Sequence, residues 1–169
     1  ELLFGGDMEG PHEIEETGET YADNALIKAR AWAEAMGLPA LADDSGLEAE
    51  ALGGLPGVHS ARIVEGSDAD RTRWLLGELA DKEDRRGRFA CAIAVVMPGG
   101  REPLVVTRYC PGTIIREPRG ESGFGYDPVF IPDGFDKTFA ELGDETKNKI
   151  SHRALAVKGI AEMLRAVIE

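Results

Sequence analysis

The feature that most constrains the fold is an apolar run, residues 89–97, that is followed by a turn and a second strand-like run. Pro98-Gly99-Gly100 has the composition of a turn, and residues 104–109 have the composition of a return strand. Together they predict an antiparallel hairpin. A short strand is predicted at residues 129–131, and another is predicted to begin near residue 40 and to end at Asp43-Asp44-Ser45-Gly46.

Helices are predicted before and after this hairpin in the sequence. Thr20 and Asp23 have the spacing of a capping box for a helix over residues 21–36, which Gly37 would end. Residues 67–70 open a second helix. A third helix is predicted near the end of the chain, with one buried stripe formed by Ile150, Ala154, Val157, Ala161, Leu164 and Ile168. This mixture, without repeats or linkers, predicts a single α/β domain over residues 1–169.

Charge and composition exclude several classes of function. The net charge is −12, with 31 acidic and 19 basic residues, which disfavours binding to a nucleic-acid polymer. No apolar run approaches the ~18 residues of a membrane span. The two cysteines, Cys91 and Cys110, lack metal-ligand spacing and are expected to be reduced thiols of a cytoplasmic protein.

Two acidic clusters are candidate metal ligands. Asp43 and Asp44 are expected to point to opposite faces of their strand, so that one could hold a metal while the other orients a neighbour or takes a proton. Mg²⁺ is the natural ion, because it prefers oxygen ligands and is often completed by substrate phosphates. An Asp-Ser-Gly turn is the alternative. The acidic run at residues 13–16 equally fits solvated charge ahead of a helix.

Two later clusters fit a nucleotide. In Ser122-Gly123-Phe124-Gly125-Tyr126-Asp127-Pro128, glycines flank two aromatic residues, so a base could stack on Phe124. A turn with two core aromatics is the alternative. Residues 147–153 hold Lys147, Lys149, His152 and Arg153, and cations at the start of a helix oppose its dipole. An anionic ligand would explain them, and the alternative is a surface network of ion pairs.

Taken together, five segments resemble the Ham1/RdgB family of inosine/xanthosine triphosphate pyrophosphatases. They are ETGETYADNALIKA, LADDSGLEAEALGGLPGVHSAR, EPRGESGFGYDPVF, KTFAEL and KNKISHR, in the order that the family has them. The resemblance implies a two-lobed α/β fold with a long mixed β-sheet flanked by helices, a central nucleotide cleft, and a homodimer. It implies Mg²⁺-dependent hydrolysis of dITP, ITP and XTP to the monophosphate and pyrophosphate.

The resemblance also implies roles for individual residues. Asp44 would be the catalytic, metal-associated residue, with Asp43 beside it, and Glu15 or Glu16 would supply a further metal contact. The substrate would be bound by Ser45, Lys28, Phe124, Gly125, Tyr126, Asp127, Lys147, His152 and Arg153. Within that set, the aromatic loop would hold the base and sugar, and His152-Arg153 the purine edge.

One segment departs from the family pattern. Family members begin with a strand and a loop resembling T-G-N-x-x-K, which grips the triphosphate, and no such motif precedes Glu15. The domain is therefore expected to lack its N-terminal strand and phosphate-binding loop. A nucleotide-binding module without turnover is the alternative that a missing loop would produce, and a pyrophosphatase for other modified nucleotides is a second, independent alternative.

Overall fold

The computed structural model describes residues 3–168, without the side chain of Ile168. The helices are α1 (Tyr21–Met36), α2 (Asp68–Glu78), α3 (Phe139–Ile150) and α4 (His152–Ile168). The strands are β1 (Ala40–Ala49), β2 (Arg86–Val96), β3 (Leu104–Ile114) and β4 (Phe130–Pro132). Within residues 3–168 these strands form one sheet in the order β1-β2-β3-β4, and each neighbouring pair is antiparallel.

The central hairpin is confirmed, and it is longer than the sequence predicts. β2 and β3 pair from Arg86↔Thr113 to Val95↔Leu104. β3 continues through Pro111 to Ile114, beyond the predicted end at residue 109. The sheet of the described residues has no parallel pair, whereas the resemblance implied a mixed sheet.

The first two helices begin where their capping residues predict. Thr20 Oγ1 accepts a hydrogen bond from the Asp23 amide, and the Asp23 carboxylate accepts one from the Thr20 amide in return. Gly37 ends α1 in the left-handed conformation, with φ of 65°. Ser67 and Asp70 form the same reciprocal pair at the start of α2. Local sequence is therefore sufficient to place these helix ends.

The prediction that β1 ends at Asp43-Asp44-Ser45-Gly46 is wrong. β1 runs on to Ala49, and residues 43–46 pair in regular register with residues 90–93 of β2. The polar residues stay in the strand because β2 satisfies their backbone groups, while their side chains find partners on both faces. The carboxylates consequently lie in the middle of an extended strand, and the alternative of a turn is also excluded.

Alternation along β2 sends its successive side chains to different clusters of the core. Ala90, Ala92 and Ala94 face α1 and pack on its alanines, so the small side chains let this helix approach the sheet closely. Cys91, Ile93 and Val95 face the opposite way and pack against α4. The sheet is thus covered by a helix on each side, and β1 presents successive side chains to different helices.

The predicted stripe of the last helix is wrong in its boundary and in part of its phase. Leu164 packs on the core as predicted, and the side chain of Ile168 lies outside the described part of the chain. Ser151 interrupts the run with an extended ψ of 158°, so Ile150 belongs to α3 and α4 starts at His152. The buried face of α4 contains Ala156 and Ile160, while Val157 is 52% exposed. The Ser151 hydroxyl accepts a hydrogen bond from the Ala154 amide, which caps α4 and resets the helical phase.

No helix within residues 3–168 is both long enough and apolar enough to cross a membrane.

Candidate active site

A cleft of about 320 Å³ lies where β1, the loop before β4 and the junction of α3 and α4 meet. All eleven residues predicted to be catalytic or substrate-binding line it: Lys28, Asp43, Asp44, Ser45, Phe124, Gly125, Tyr126, Asp127, Lys147, His152 and Arg153. These residues are far apart in the sequence, and the fold brings them together.

Asp44 points from β1 toward α1 and is 8% exposed. The Asn24 amide donates to its Oδ2 at 3.2 Å, and Lys28 Nζ donates to its Oδ1 at 3.3 Å. Asn24 and Lys28 are one turn apart on α1, so both lie on the helix face that covers β1. Asn24 Oδ1 in turn accepts a hydrogen bond from the Gly18 amide at 2.8 Å, which fixes the amide for donation to Asp44.

Lys28 also joins the acidic run to the cleft. Its Nζ lies 2.6 Å from Glu16 Oε1, and Arg62 Nη1 lies 2.6 Å from Glu16 Oε2. Glu15 is exposed and takes no part in this network. Of the two glutamates left open by the sequence, Glu16 is the one whose contacts reach Asp44.

Burial and charge act in opposite directions on this network. Burial, together with the nearby charge of Glu16, raises the pKa of Asp44 above its ordinary value, although Lys28 and Asn24 act to lower it. Burial would also raise the pKa of Glu16, but hydrogen bonds from Lys28 and Arg62 outweigh it and lower that pKa. The pKa of Asp44 is therefore shifted upward and that of Glu16 downward, although the two carboxylates share Lys28.

Asp43 points to the other face of β1, toward α4. Arg153 donates to its Oδ2 from Nε at 3.1 Å and from Nη2 at 2.9 Å. The Ser45 hydroxyl donates to the same oxygen at 3.4 Å. The prediction that the adjacent carboxylates point in different directions is confirmed, and each one orients a different cation at the cleft.

The aromatic glycine loop forms a second wall of the cleft. Phe124 is 59% exposed, so it is not a core aromatic, whereas Tyr126 is buried and donates from its hydroxyl to the Ser60 carbonyl oxygen. Lys147 Nζ lies 4.1 Å from the centroid of the Phe124 ring and forms an ion pair with the buried Asp127. The exposed ring gives the cleft a flat apolar surface beside a fixed positive charge.

The dipole argument for the basic cluster is wrong for its two lysines and holds for Arg153, which lies in the first turn of α4. Lys147 and Lys149 lie in the last turn of α3, where cations are favourable, and not at the start of a helix. Lys149 points to solvent and pairs with Glu145 at 2.8 Å, which matches the alternative of a surface ion pair. Lys147, His152 and Arg153 still converge on the cleft, because Ser151 separates α3 from α4 there.

His152 is 5% exposed, and its ring stacks on Phe89 at a centroid distance of 4.7 Å. Burial, assisted by the charges of Arg153 and Lys147, lowers the pKa of His152 to about 3. The imidazole is therefore neutral and presents one donor and one acceptor nitrogen. Its Nδ1 has no hydrogen-bond partner among the described residues.

This pKa predicts that His152 carries no charge at neutral pH. We expect its ring ¹H–¹³C resonances to stay constant between about pH 5 and about pH 8, where an unperturbed histidine titrates. The measurement is an NMR pH titration, with assignment by a His152→Gln variant. A midpoint between about pH 6 and about pH 7 would contradict the buried, neutral ring.

Sequence reasoning missed several residues that hold the cleft together. Asn24 is fully buried on Asp44, Arg62 fixes Glu16, and Asp68 accepts a hydrogen bond from the Gly125 amide. The four-residue spacing of Asn24 and Lys28 was a usable signal for the first. Arg62 lies in a loop and Asp68 in the first turn of α2, and nothing in their local sequence distinguishes them from surface charge.

The fold and the cleft define an α/β protein that places carboxylates, cations and an exposed aromatic ring around one charged cavity. The chain belongs to the Ham1 family, whose sequence model matches residues 4–163. It is 51% identical to a dITP/XTP pyrophosphatase of Symbiobacterium thermophilum over 99% of this chain and 84% of that protein. It is 50% identical to a dITP/XTP pyrophosphatase of Bacillus subtilis over 91% of this chain and 79% of that protein.

Solved structures give the same result for the fold. A HAM1 protein from Coxiella burnetii is 45% identical and superposes with a TM-score of 0.86, covering 91% of this chain and 81% of that chain. The Ham1 protein of Staphylococcus aureus is 41% identical and has a TM-score of 0.86 over the same shares of the two chains. The α/β fold class and the family resemblance predicted from the sequence are confirmed.

Proposed function

We propose that the chain is a nucleoside triphosphate pyrophosphatase that hydrolyses non-standard purine nucleotides, namely dITP, ITP and XTP, to the monophosphate and pyrophosphate. The observation that carries the proposal is the convergence of the eleven predicted residues on one cleft. The relatives named dITP/XTP pyrophosphatase support the same substrates. Such an enzyme removes deaminated purines from the nucleotide pool.

Asp44 and Glu16 fit a Mg²⁺ ion that is shared with substrate phosphates. Both carboxylates already converge on one cation, Lys28 Nζ, and Asp44 is held in place by Asn24. No group of three or more potential metal-ligating side chains occurs within residues 3–168, which argues against a cage made of protein alone. Mg²⁺ usually takes one or two carboxylates and completes its octahedron with water and phosphate. Bound there, it would neutralise charge on the phosphates.

The chain's own residues supply the other parts of the reaction. Water hydrolyses the anhydride bond between the α- and β-phosphates: the bond breaks, pyrophosphate leaves, and the water oxygen stays on the cleaved phosphorus. Asp44 accepts the proton of this water or orients it, for which a raised pKa is suited. Lys28 contacts phosphate on the same side of the cleft. Because Lys28 bridges Asp44 and Glu16, phosphate binding redistributes its hydrogen bonds among three anionic partners.

Base selection comes from the opposite side of the cleft. The purine stacks on Phe124, and donors on His152 and Arg153 face its 6-keto oxygen. Adenine has an amino group at that position, which would leave a buried donor unpaired at a cost of about 1–3 kcal/mol. Since His152 is neutral, Arg153 supplies the fixed charge of this pair.

The proposal also covers assembly and location. A homodimer is supported by the family resemblance, and light scattering on the purified protein tests it. A cytoplasmic location is consistent with the two free, buried cysteines, Cys91 and Cys110.

Substrate turnover is the direct test. We expect the protein with Mg²⁺ to convert ITP, dITP and XTP to monophosphate and pyrophosphate at least about tenfold faster than ATP, because the donor left unpaired opposite the adenine amino group costs about one order of magnitude. A panel that adds dUTP and dTTP separates this activity from that of a pyrophosphatase for pyrimidines. Tight ITP binding without release of pyrophosphate would instead indicate a binding module.

A further inference from the structure

The backbone of the aromatic loop is held by two side chains of α2, Asp68 and Thr72. Asp68 Oδ2 accepts a hydrogen bond from the Gly125 amide at 2.6 Å, and the Thr72 hydroxyl donates to the Gly125 carbonyl oxygen at 3.4 Å. Asp68 and Thr72 are one turn apart on α2, and their contacts with Gly125 span more than fifty residues of sequence. One helix face therefore holds both peptide groups of Gly125.

These peptide groups determine where Phe124 points. The Gly125 amide belongs to the peptide that directly follows Phe124, and the Phe124 amide itself donates to Asp127 Oδ2 at 2.9 Å. Gly125 has a φ of 61°, so the loop turns sharply at this residue. With both neighbouring peptides fixed, the exposed ring has little freedom beyond its own side-chain torsions.

A carboxylate in the first turn of a helix often serves only the helix dipole. The contacts of Asp68 differ from that pattern, because each of its oxygens has a specific partner. Oδ1 accepts from Arg71 Nη2 at 2.6 Å, and Oδ2 accepts from the loop. The hydrogen bond from Gly125 is the leading cause of the lowered pKa of Asp68, so the carboxylate stays charged at neutral pH.

Asp70 offers an internal comparison. It lies two residues further along the same turn and caps α2 through Ser67, with an ion pair to Arg73. Within residues 3–168, its side chain makes no hydrogen bond to the aromatic loop. Loss of Asp70 would therefore weaken the start of α2 without removing the contact to Gly125.

From this geometry we infer that Asp68, supported by Thr72, is a positioning residue that holds the Phe124 platform in place for the nucleotide base. The inference rests on the proposed function, because it assigns Phe124 to base binding. Asp68 acts through Gly125 and takes no part in the chemical step. Its removal should consequently weaken substrate binding and leave the rate of phosphate cleavage nearly unchanged.

The test compares Asp68→Ala, Asp68→Asn and Asp70→Ala. We expect Asp68→Ala to raise KM for ITP about tenfold with kcat changed less than about twofold, the size expected for one charge-assisted hydrogen bond to a backbone amide. Asparagine retains an acceptor for the Gly125 amide, so Asp68→Asn should restore KM to within about threefold of wild type. Asp70→Ala should leave KM unchanged although it lowers thermal stability.

A second measurement does not depend on turnover. Hydrogen exchange of the Gly125 amide in the ligand-free protein should be faster in Asp68→Ala than in Asp70→Ala, while amides of β2 are unaffected. Equal KM in Asp68→Ala and wild type, or an equal rise in Asp70→Ala, would overturn the inference. If wild type does not hydrolyse ITP, the proposed function fails, and the exchange data alone decide whether Asp68 holds the loop.

Discussion

Asp44→Asn should reduce kcat for ITP hydrolysis by about 10²–10⁴-fold, the range typical for loss of a general base or of its equivalent in orienting water. The amide has nearly the shape of the carboxylate, but it neither accepts a proton at neutral pH nor attracts a divalent cation. We therefore expect the loss in turnover with little change in the fold. The measurement is pyrophosphate release under saturating ITP and Mg²⁺.

The same substitution should leave stability unchanged or increase it. The pKa of Asp44 is raised by burial, which means that the folded protein disfavours the charged carboxylate relative to the unfolded chain. A neutral amide removes that penalty, while Asn24 and Lys28 remain close to the site. Thermal melting at pH 7 should therefore give a midpoint at or above that of wild type, as is common where a site is built at the expense of stability.

Asp43→Asn is the matched control, since it makes the same chemical change one residue away. Asp43 lies on the opposite face of β1 and orients Arg153 through a partly exposed ion pair. We expect its loss to cost about tenfold or less, mainly in KM, because an exposed pair contributes only about 0.2–1 kcal/mol. An Asp44→Asn enzyme with turnover near wild type, or an equal loss in both variants, would contradict the role assigned to Asp44.

The sequence predicts the site better than it predicts the elements that carry it. Segments with local signals are placed well, as the capping boxes of α1 and α2 show. The end of β1 was predicted wrongly at the polar residues 43–46, because a strand interior is usually recognised by alternating apolar residues. In β1 the two carboxylates instead bind side chains of helices on both faces of the sheet. The buried face of α4 was predicted wrongly in part, and for a local reason. Ser151 separates α3 from α4, so the positions that face the core are shifted.

The residues that sequence reasoning missed were missed for one common physical reason. Asn24, Arg62 and Asp68 act on other protein groups, and their partners are 20, 46 and 57 residues away in the sequence. No local pattern encodes such contacts. The choice between Glu15 and Glu16 is of the same kind, because it depends on which side chain turns toward Lys28. Only the tertiary arrangement separates them.

Gly46→Ala should lower the stability of the fold more than any of the substitutions described above. Gly46 lies in β1 two residues after Asp44, and a methyl group there would stand 2.2 Å from the Gly57 carbonyl oxygen and 2.7 Å from Ser60 Oγ. The Ser60 hydroxyl accepts a hydrogen bond from the Leu47 amide at 2.8 Å, so a methyl group that displaces Ser60 would also break this buried hydrogen bond. Overpacking and one unpaired buried amide each cost about 1–3 kcal/mol.

We expect the free energy of unfolding to fall by about 2–5 kcal/mol in denaturant titrations, with ITP turnover reduced because the 53–60 loop and β1 must separate near Asp44. Gly77→Ala is the matched control, since its added methyl group meets no atom within 4 Å in the last turn of α2. There the same change should stabilise the protein by about 0.5–1 kcal/mol. If Gly46→Ala unfolds at the wild-type midpoint, the 53–60 loop does not pack closely against β1, and the glycine near Asp44 needs another explanation.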